Sequence, residues 1–429
     1  MHLDPLAPVL LVLLLMLAAA KIGSEIFERI GQPAVLGELI AGLLLGNLVL
    51  LFPGWTMLEP LRGSIINESW AIVIDSLARL GVILLLFEVG LESTVSEMAK
   101  VGTSSLLVAL IGVLAPFILG YGVSYLFIKE VPADLLRYLP NNFDLVNLHL
   151  FMGATLCATS VGITARVLKD LGKLQTKTAK IVLGAAVIDD VLGLIILAVV
   201  SAIVSASIVG TDVGILSIVR IAATALGFFV VAIALGVIVV PRMLHLLAKL
   251  RTAGMMVISS LLLCFLLSWL ANAVGLATIV GAFAAGLILE EVHFHEFREK
   301  AQLHQLIRPI STLFVPIFFV LMGIQVRLEA FYDPGILVLA LGLTVAAVIG
   351  KQACGWGVIE KGIDRPSIGV GMIPRGEVGL IFAAIGKALN IVDGAIYSAI
   401  VFMVIFTTLM TPSLLKMTLA RWERKERLS

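Results

Sequence analysis

Apolar residues do not alternate with polar ones along this chain. They come in long unbroken runs separated by short polar stretches. A helix of about 20 apolar residues spans the roughly 30 Å hydrocarbon core of a bilayer. The pattern predicts thirteen such segments, at 6–20, 33–52, 71–91, 101–128, 149–168, 179–208, 214–240, 254–273, 275–289, 309–326, 335–359, 366–388 and 393–416. The first and ninth are short for a crossing. In lipid, every backbone polar group needs a partner within its own segment. The predicted fold class is therefore an all-α polytopic membrane protein with 13 transmembrane helices.

The thirteen segments divide as six, one and six. Segments 1 and 8 enter from opposite faces, which is the pattern of two inverted six-helix repeats. The fifth segment of each block is interrupted. In segment 5 the interruption is Thr155-Leu156-Cys157-Ala158-Thr159-Ser160, followed by Gly162; in segment 12 it runs from Gly369 to Gly379, around Pro374. Proline lacks a backbone donor and clashes with the preceding turn, and glycine weakens a helix further. Membrane helices tolerate both residues in general. Matched breaks in opposed blocks point instead to a transport site.

Composition agrees. The 429 residues are 60% hydrophobic and 14% charged, with a mean hydropathy of +1.10. A net charge of +1 gives no argument for nucleic acid. Cys157, Cys264 and Cys354 all fall in apolar segments and read as packing residues. The Leu17-Ala18-Ala19-Ala20 stretch mimics a cleavage site, but no Lys or Arg precedes the apolar run, so the first segment reads as an uncleaved helix. With the C-terminus inside, the inner loops and tail hold 21 of the 30 Lys and Arg, including Arg166, Lys169, Lys173, Lys177 and Lys180. The outer side holds Arg62, Lys129, Arg137, Arg220, Arg327 and Lys387. This bias predicts a cytoplasmic C-terminus and an N-terminus on the opposite face. It also predicts one transmembrane domain over 1–416 and a short basic tail at 417–429.

Two acids stand at the centre of segment 6, Asp189 and Asp190. A carboxylate at the bilayer centre costs roughly 2.5–3.5 kcal/mol on insertion scales, and such residues mark ion or proton sites. Adjacent helical residues point about 100° apart, so one acid faces a cavity and the other a fixed partner. Lys351, the only Lys deep in a segment, is the partner to expect. Thr155, Thr159 and Ser160 offer hard oxygen donors for an alkali cation, or else plain hydrogen bonds between helices. Arg375 and Glu377 flank the second break; they either set charge at the inner approach or brace the broken helix through an ion-pair network. Asp75 and Arg79, four apart, read as a structural pair. Glu38 and Glu88 read as near an interface, and Gly42 and Gly46 match a close-packing motif. The loop with His293, His295 and His304 reads as solvated, with pH sensing as the alternative. No HExxH metal motif and no phosphate-binding GxxxxGK[ST] loop occurs.

Six motifs in order, GQPAVLGELIAGLLLG, FEVGLE, CATSVGIT, AAVIDDVLGL, GKQACG and MIPRGEVGLIFA, make nearly the whole chain resemble the monovalent cation:proton antiporter-2 family, among bacterial sodium/proton antiporters of the thirteen-helix type. The resemblance implies crossed, discontinuous helices 5 and 12 in a core of helices 4–6 and 11–13. That core moves against a dimerisation part of helices 1–3 and 8–10, with helix 7 as linker, in a homodimer. It implies Asp190 as the carboxylate that binds Na+ or a proton, Asp189 as the partner of Lys351, and Thr159 and Ser160 in the unwound stretch. The double Asp with Lys is similar to electrogenic members. The activity implied is exchange of Na+ (or Li+) for H+ by alternating access, with a role in pH homeostasis and no cofactor. Longer potassium-efflux relatives carry a nucleotide-binding domain after the membrane part; here about a dozen residues follow segment 13, so no nucleotide gating is expected. Potassium stays open as substrate, since hydroxyl and carbonyl oxygens bind both ions. A cation channel also uses intramembrane carboxylates, but usually as rings from several subunits or with a carbonyl filter of the TVGYG kind, and no such filter is present. An intramembrane aspartyl protease would need two opposed acids sharing a proton, and neighbours on one helix diverge.

Overall fold

The computed structural model describes residues 6–52, 54, 56–63, 68–92, 102–136, 139–140, 143–173, 176–209, 215–248, 254–290 and 303–428, and these residues are helical with short connections. The loop with His293 and His295, and the side chains of His304, Arg166 and Lys169, lie outside the described residues. In chain order the helices are α1 (Leu6–Arg29), α2 (Ala34–Gly46), α3 (Glu59–Arg62), α4 (Ser69–Glu92), α5 (Thr103–Phe127), α6 (Leu145–Thr155), α7 (Val161–Asp170), α8 (Lys177–Ile208) and α9 (Ile215–Ala248). They continue as α10 (Met255–Ala273), α11 (Thr278–Glu290), α12 (Leu303–Ile324), α13 (Pro334–Gln352), α14 (Arg365–Gly371), α15 (Glu377–Ala388) and α16 (Gly394–Leu428). Among the described residues, eight helices are long and apolar enough to cross a membrane by length and composition, and shorter apolar helices lie at Ala34–Leu50, Leu145–Thr155, Val219–Ala232 and Thr278–Leu289.

Several boundaries shift from the sequence expectation, most clearly at the two ends of the chain. Segment 1, expected to stop at 20, continues as α1 to Arg29, where Arg29 Nε pairs with Glu25 at 2.7 Å. The stretch at 417–429, expected as a tail, continues α16 to Leu428. The reason is common to both: hydropathy falls at Lys21 and at Lys416, but the residues beyond remain good helix formers on balance, and Gly23 is packed against α2 rather than ending the helix.

The helices pack as two groups. One holds α1, α2, α4, α10, α11 and α12; the other holds α5–α8 and α13–α16. Helix α9 touches α8 of the second group and α10 and α11 of the first. The two repeats exchange equivalent pairings. α4 packs on α11 as α12 packs on α2, and α8 packs on α5 as α16 packs on α13.

Packing inside the first group depends on backbones in contact. A Cβ at Gly42 would sit 2.1 Å from the Val320 carbonyl oxygen, and one at Gly46 2.3 Å from that of Ile324. The Gly42-xxx-Gly46 spacing is thus the seam between α2 and α12. Gly42→Val should lower stability by about 1–3 kcal/mol or more, because the obstruction is backbone rather than a movable side chain. Thermal unfolding in detergent checks this; an unchanged midpoint would show that the seam is loose.

Candidate functional site

Each repeat's fifth segment is two helices joined by five non-helical residues. The first joint, 156–160, separates α6 from α7; the second, 372–376, separates α14 from α15. An interrupted helix leaves carbonyls and amides without intrahelical partners, and these must be satisfied when buried. Here the two joints cross and satisfy each other. Ser160 N donates to the Pro374 carbonyl at 2.8 Å. The Thr159 hydroxyl donates to Met372 O at 3.3 Å and the Thr164 hydroxyl to Gly371 O at 2.6 Å. Ser160 Oγ donates to Glu377 Oε2 at 3.0 Å. The Thr155 hydroxyl turns back to Phe151 O in its own helix, at 2.9 Å.

Two cations cap the first joint. Lys351 Nζ, from the last turn of α13, donates to Cys157 O at 2.7 Å and stands 3.2 Å from each carboxylate oxygen of Asp189. Lys351 and Asp189 are both wholly buried. The ammonium passes α5 at Gly112, where a Cβ would lie 3.5 Å from Nζ and 2.9 Å from Cys354 Sγ. Arg375 is likewise wholly buried, and its Nη1 donates to Ala158 O. Its own carbonyl accepts from the Thr408 hydroxyl of α16. The sequence suggested an ion-pair network around Arg375 and Glu377. Among the described residues Arg375 makes no ion pair; it clasps the backbone of the opposite joint, and its Nε and Nη2 have no hydrogen-bond partner. The physical reason is proximity. The joints cross at this residue, so bare carbonyls lie nearer than any loop acid.

Asp190 differs from its neighbour. It is 7% exposed, and among the described residues no hydrogen bond or ion pair reaches its carboxylate. The charges that act on it are Asp189, Glu377 and Lys351. Gly193, three residues on and one turn away, lies 4.0 Å from Ala158 of the first joint by its ideal Cβ position. That face of α8 is therefore turned toward the crossing. A cleft of about 550 Å³ opens between the two helix groups and is lined by Arg375, Gly376 and Glu377 of the second joint together with Pro33, Ala34, Val35, Leu36, Leu39, Glu92, Ile163, Arg308, Leu380, Val404 and Thr408. Asp75 and Arg79 pair at 2.7 Å on α4, away from these joints in the chain. Glu38, at the cleft end of α2, accepts from Ser24 Oγ at 3.0 Å.

The sequence pointed to neither Thr164 nor the buried basic residues at the other end of the molecule. Arg62 and Lys387 counted as outer-loop charges, yet they are 2% and 6% exposed. The signal for Lys387 was its setting in the apolar run IFAAIGKALNIV.

A built site of this kind, with one unpartnered acid at the crossing of two opposed helix breaks, defines a secondary ion transporter of the inverted-repeat class. The family model for the transmembrane sodium/hydrogen exchanger matches residues 11–421, and the chain belongs to that family. It is 37% identical over 439 residues to the high-affinity Na+/H+ antiporter NhaS3 of Synechocystis sp., covering 96% of this chain and 90% of that one. It is 36% identical over 410 residues to the Na+/H+-K+ antiporter GerN of Bacillus cereus, covering 94% of each. The solved structure of the sodium proton antiporter MjNhaP1 from Methanocaldococcus jannaschii at pH 8 superposes with a TM-score of 0.68 over 97% of this chain and 98% of that one. At 16% identity that likeness speaks for the fold.

Proposed function

We propose that this protein exchanges Na+ (or Li+) for H+ across a membrane by alternating access. The observation that carries the reading is Asp190: buried, without a partner, on the helix face turned toward the crossed joints. A carboxylate so placed accepts a proton or an alkali cation, and one excludes the other because both neutralise the same charge. Asp189 is committed to Lys351 and holds its charge in place. Thr159 and Ser160 stand beside the site with hydroxyl lone pairs still available, whereas Thr155 is a helix-internal brace. Arg375 and Glu377 support the core. The cargo ions are the only metal chemistry required. The names of the two relatives, both Na+/H+ antiporters, support this reading.

The division into helix groups supports a core of α5–α8 and α13–α16 carrying the site past the rest, with α9 as linker. The remaining group would form the dimer contact. The Lys/Arg bias supports a cytoplasmic C-terminus and an N-terminus on the other face; the apolar runs support thirteen crossings, and the double Asp with Lys351 supports electrogenic exchange. The name of GerN, which includes K+, favours potassium as a second cargo. Proteoliposomes under an imposed pH gradient test all of this. Na+ or Li+ should collapse the gradient and generate a membrane potential; K+ doing so equally well would widen the substrate range. A gradient indifferent to all three ions would overturn the proposal.

A further inference from the structure

Four helices run the full distance from the cleft to a second, closed contact between the same two groups. Helix α2 lines the cleft with Ala34, Val35, Leu36 and Leu39 and is capped at its far end by Asn47; α12 lines it with Arg308 and ends beyond Met322. Helix α15 starts at the cleft with Glu377 and ends near Lys387; α16 starts at the far end, with Tyr397 and Ser398, and reaches the cleft at Val404 and Thr408. At one end the groups stand apart across about 550 Å³, and at the other they are bonded.

The bonds at the far end join α15 and α16 to α12, to the connection that follows it and to α3. Tyr397 OH, wholly buried, donates to Met322 O at 2.9 Å. Arg327 N donates to Ser398 Oγ at 2.8 Å, and Ser398 Oγ in turn donates to Gly394 O at 2.7 Å. Lys387 Nζ donates to Arg62 O at 3.4 Å and lies 5.2 Å from the centre of the Tyr397 ring. The residues that meet these side chains are themselves hydrogen-bonded. Arg62 Nη2 binds both oxygens of Glu329 at 2.7 and 2.8 Å and Asn47 Oδ1 at 3.1 Å. Asn47 Nδ2 binds Val326 O at 2.9 Å. The polar groups of the seam are thus matched between a braced surface and side chains of α15 and α16.

We propose that Lys387, Tyr397 and Ser398 form a latch that keeps this end shut while the cleft is open, and that they release when the core moves. The inference rests on the alternating-access reading above. Packing alone does not define it: apolar contact is non-directional, whereas directional bonds to backbone atoms are made in one relative position of the two groups and can part and be rehydrated as a unit. Weakening the latch then favours the state in which the far end opens and the cleft closes.

Val35, half-buried in the cleft wall, is the reporter position. The three native cysteines are buried and give a low background. Val35→Cys is labelled with a hydrophilic maleimide in detergent, in the parent, Tyr397→Phe, Ser398→Ala and the double variant. Thr344→Val, which loses a hydroxyl bond confined to α13, is the control. The double variant should label about three- to tenfold more slowly, as expected for two lost hydrogen bonds acting on a two-state balance. Each single variant should fall between the double variant and the parent, and the control should match the parent. Misfolding would speed labelling, so it cannot imitate the expected result. An unchanged or faster rate in the double variant overturns the latch. Cation-driven proton flux measured on the parent protein decides the antiport reading separately, so the two failures are distinguishable.

Discussion

Asp190→Asn is expected to abolish exchange. Asparagine keeps the volume of the side chain but holds neither a proton nor a negative charge, so both halves of the cycle lose their ligand. A buried charged partner is worth roughly 3–5 kcal/mol, and each 1.4 kcal/mol is tenfold in occupancy. Cation-dependent proton flux in proteoliposomes should therefore drop by about two orders of magnitude or more, to the protein-free background. The variant should fold, because no described partner depends on the carboxylate. Normal flux from Asp190→Asn would end the assignment of this residue as the site.

Lys351→Met produces the largest loss of stability. It strips Asp189 of its partner inside a wholly buried environment and leaves Cys157 O without its donor. Breaking a buried pair by removing one member costs about 3–5 kcal/mol, most of it the penalty of the charge left behind. Removing that charge as well should restore much of the loss. Lys351→Met with Asp189→Asn is expected to unfold well above Lys351→Met alone. Thermal unfolding of the four proteins of this cycle in detergent measures the coupling. Additive losses would mean that Lys351 acts mainly through the Cys157 carbonyl.

These two residues also mark how far the sequence could be read. The breaks in segments 5 and 12 were legible because Pro374, its flanking glycines and a cluster of hydroxyl residues interrupt otherwise apolar runs. Lys351 stood out because an ammonium deep in an apolar segment demands an acid, and few acids lay at comparable depth. The partner of Arg375 was not legible. It is a backbone carbonyl 217 positions away, and every residue in the chain offers one of those. Arg62 and Lys387 were misread for a related reason: counting charges by loop uses sequence position and is blind to burial. Helix ends at Arg29 and Leu428 were underestimated because hydropathy measures contact with lipid, whereas a helix stops only where its backbone is interrupted.

The mutual capping of the two joints has a consequence for the cargo. Cys157 O, Ala158 O, Gly371 O, Met372 O and Pro374 O each already accept a hydrogen bond. Each of these carbonyls keeps one lone pair, as do the Thr159 and Ser160 hydroxyls, so a cation would share oxygens that the joints already use for bonding to each other. On the proposal that Asp190 is the site, an alkali ion docking there either competes with these hydrogen bonds or keeps part of its own water shell. In the second case preference among lithium, sodium and potassium is set by the work of partial dehydration, and a soft, half-wet berth of this sort discriminates by degree.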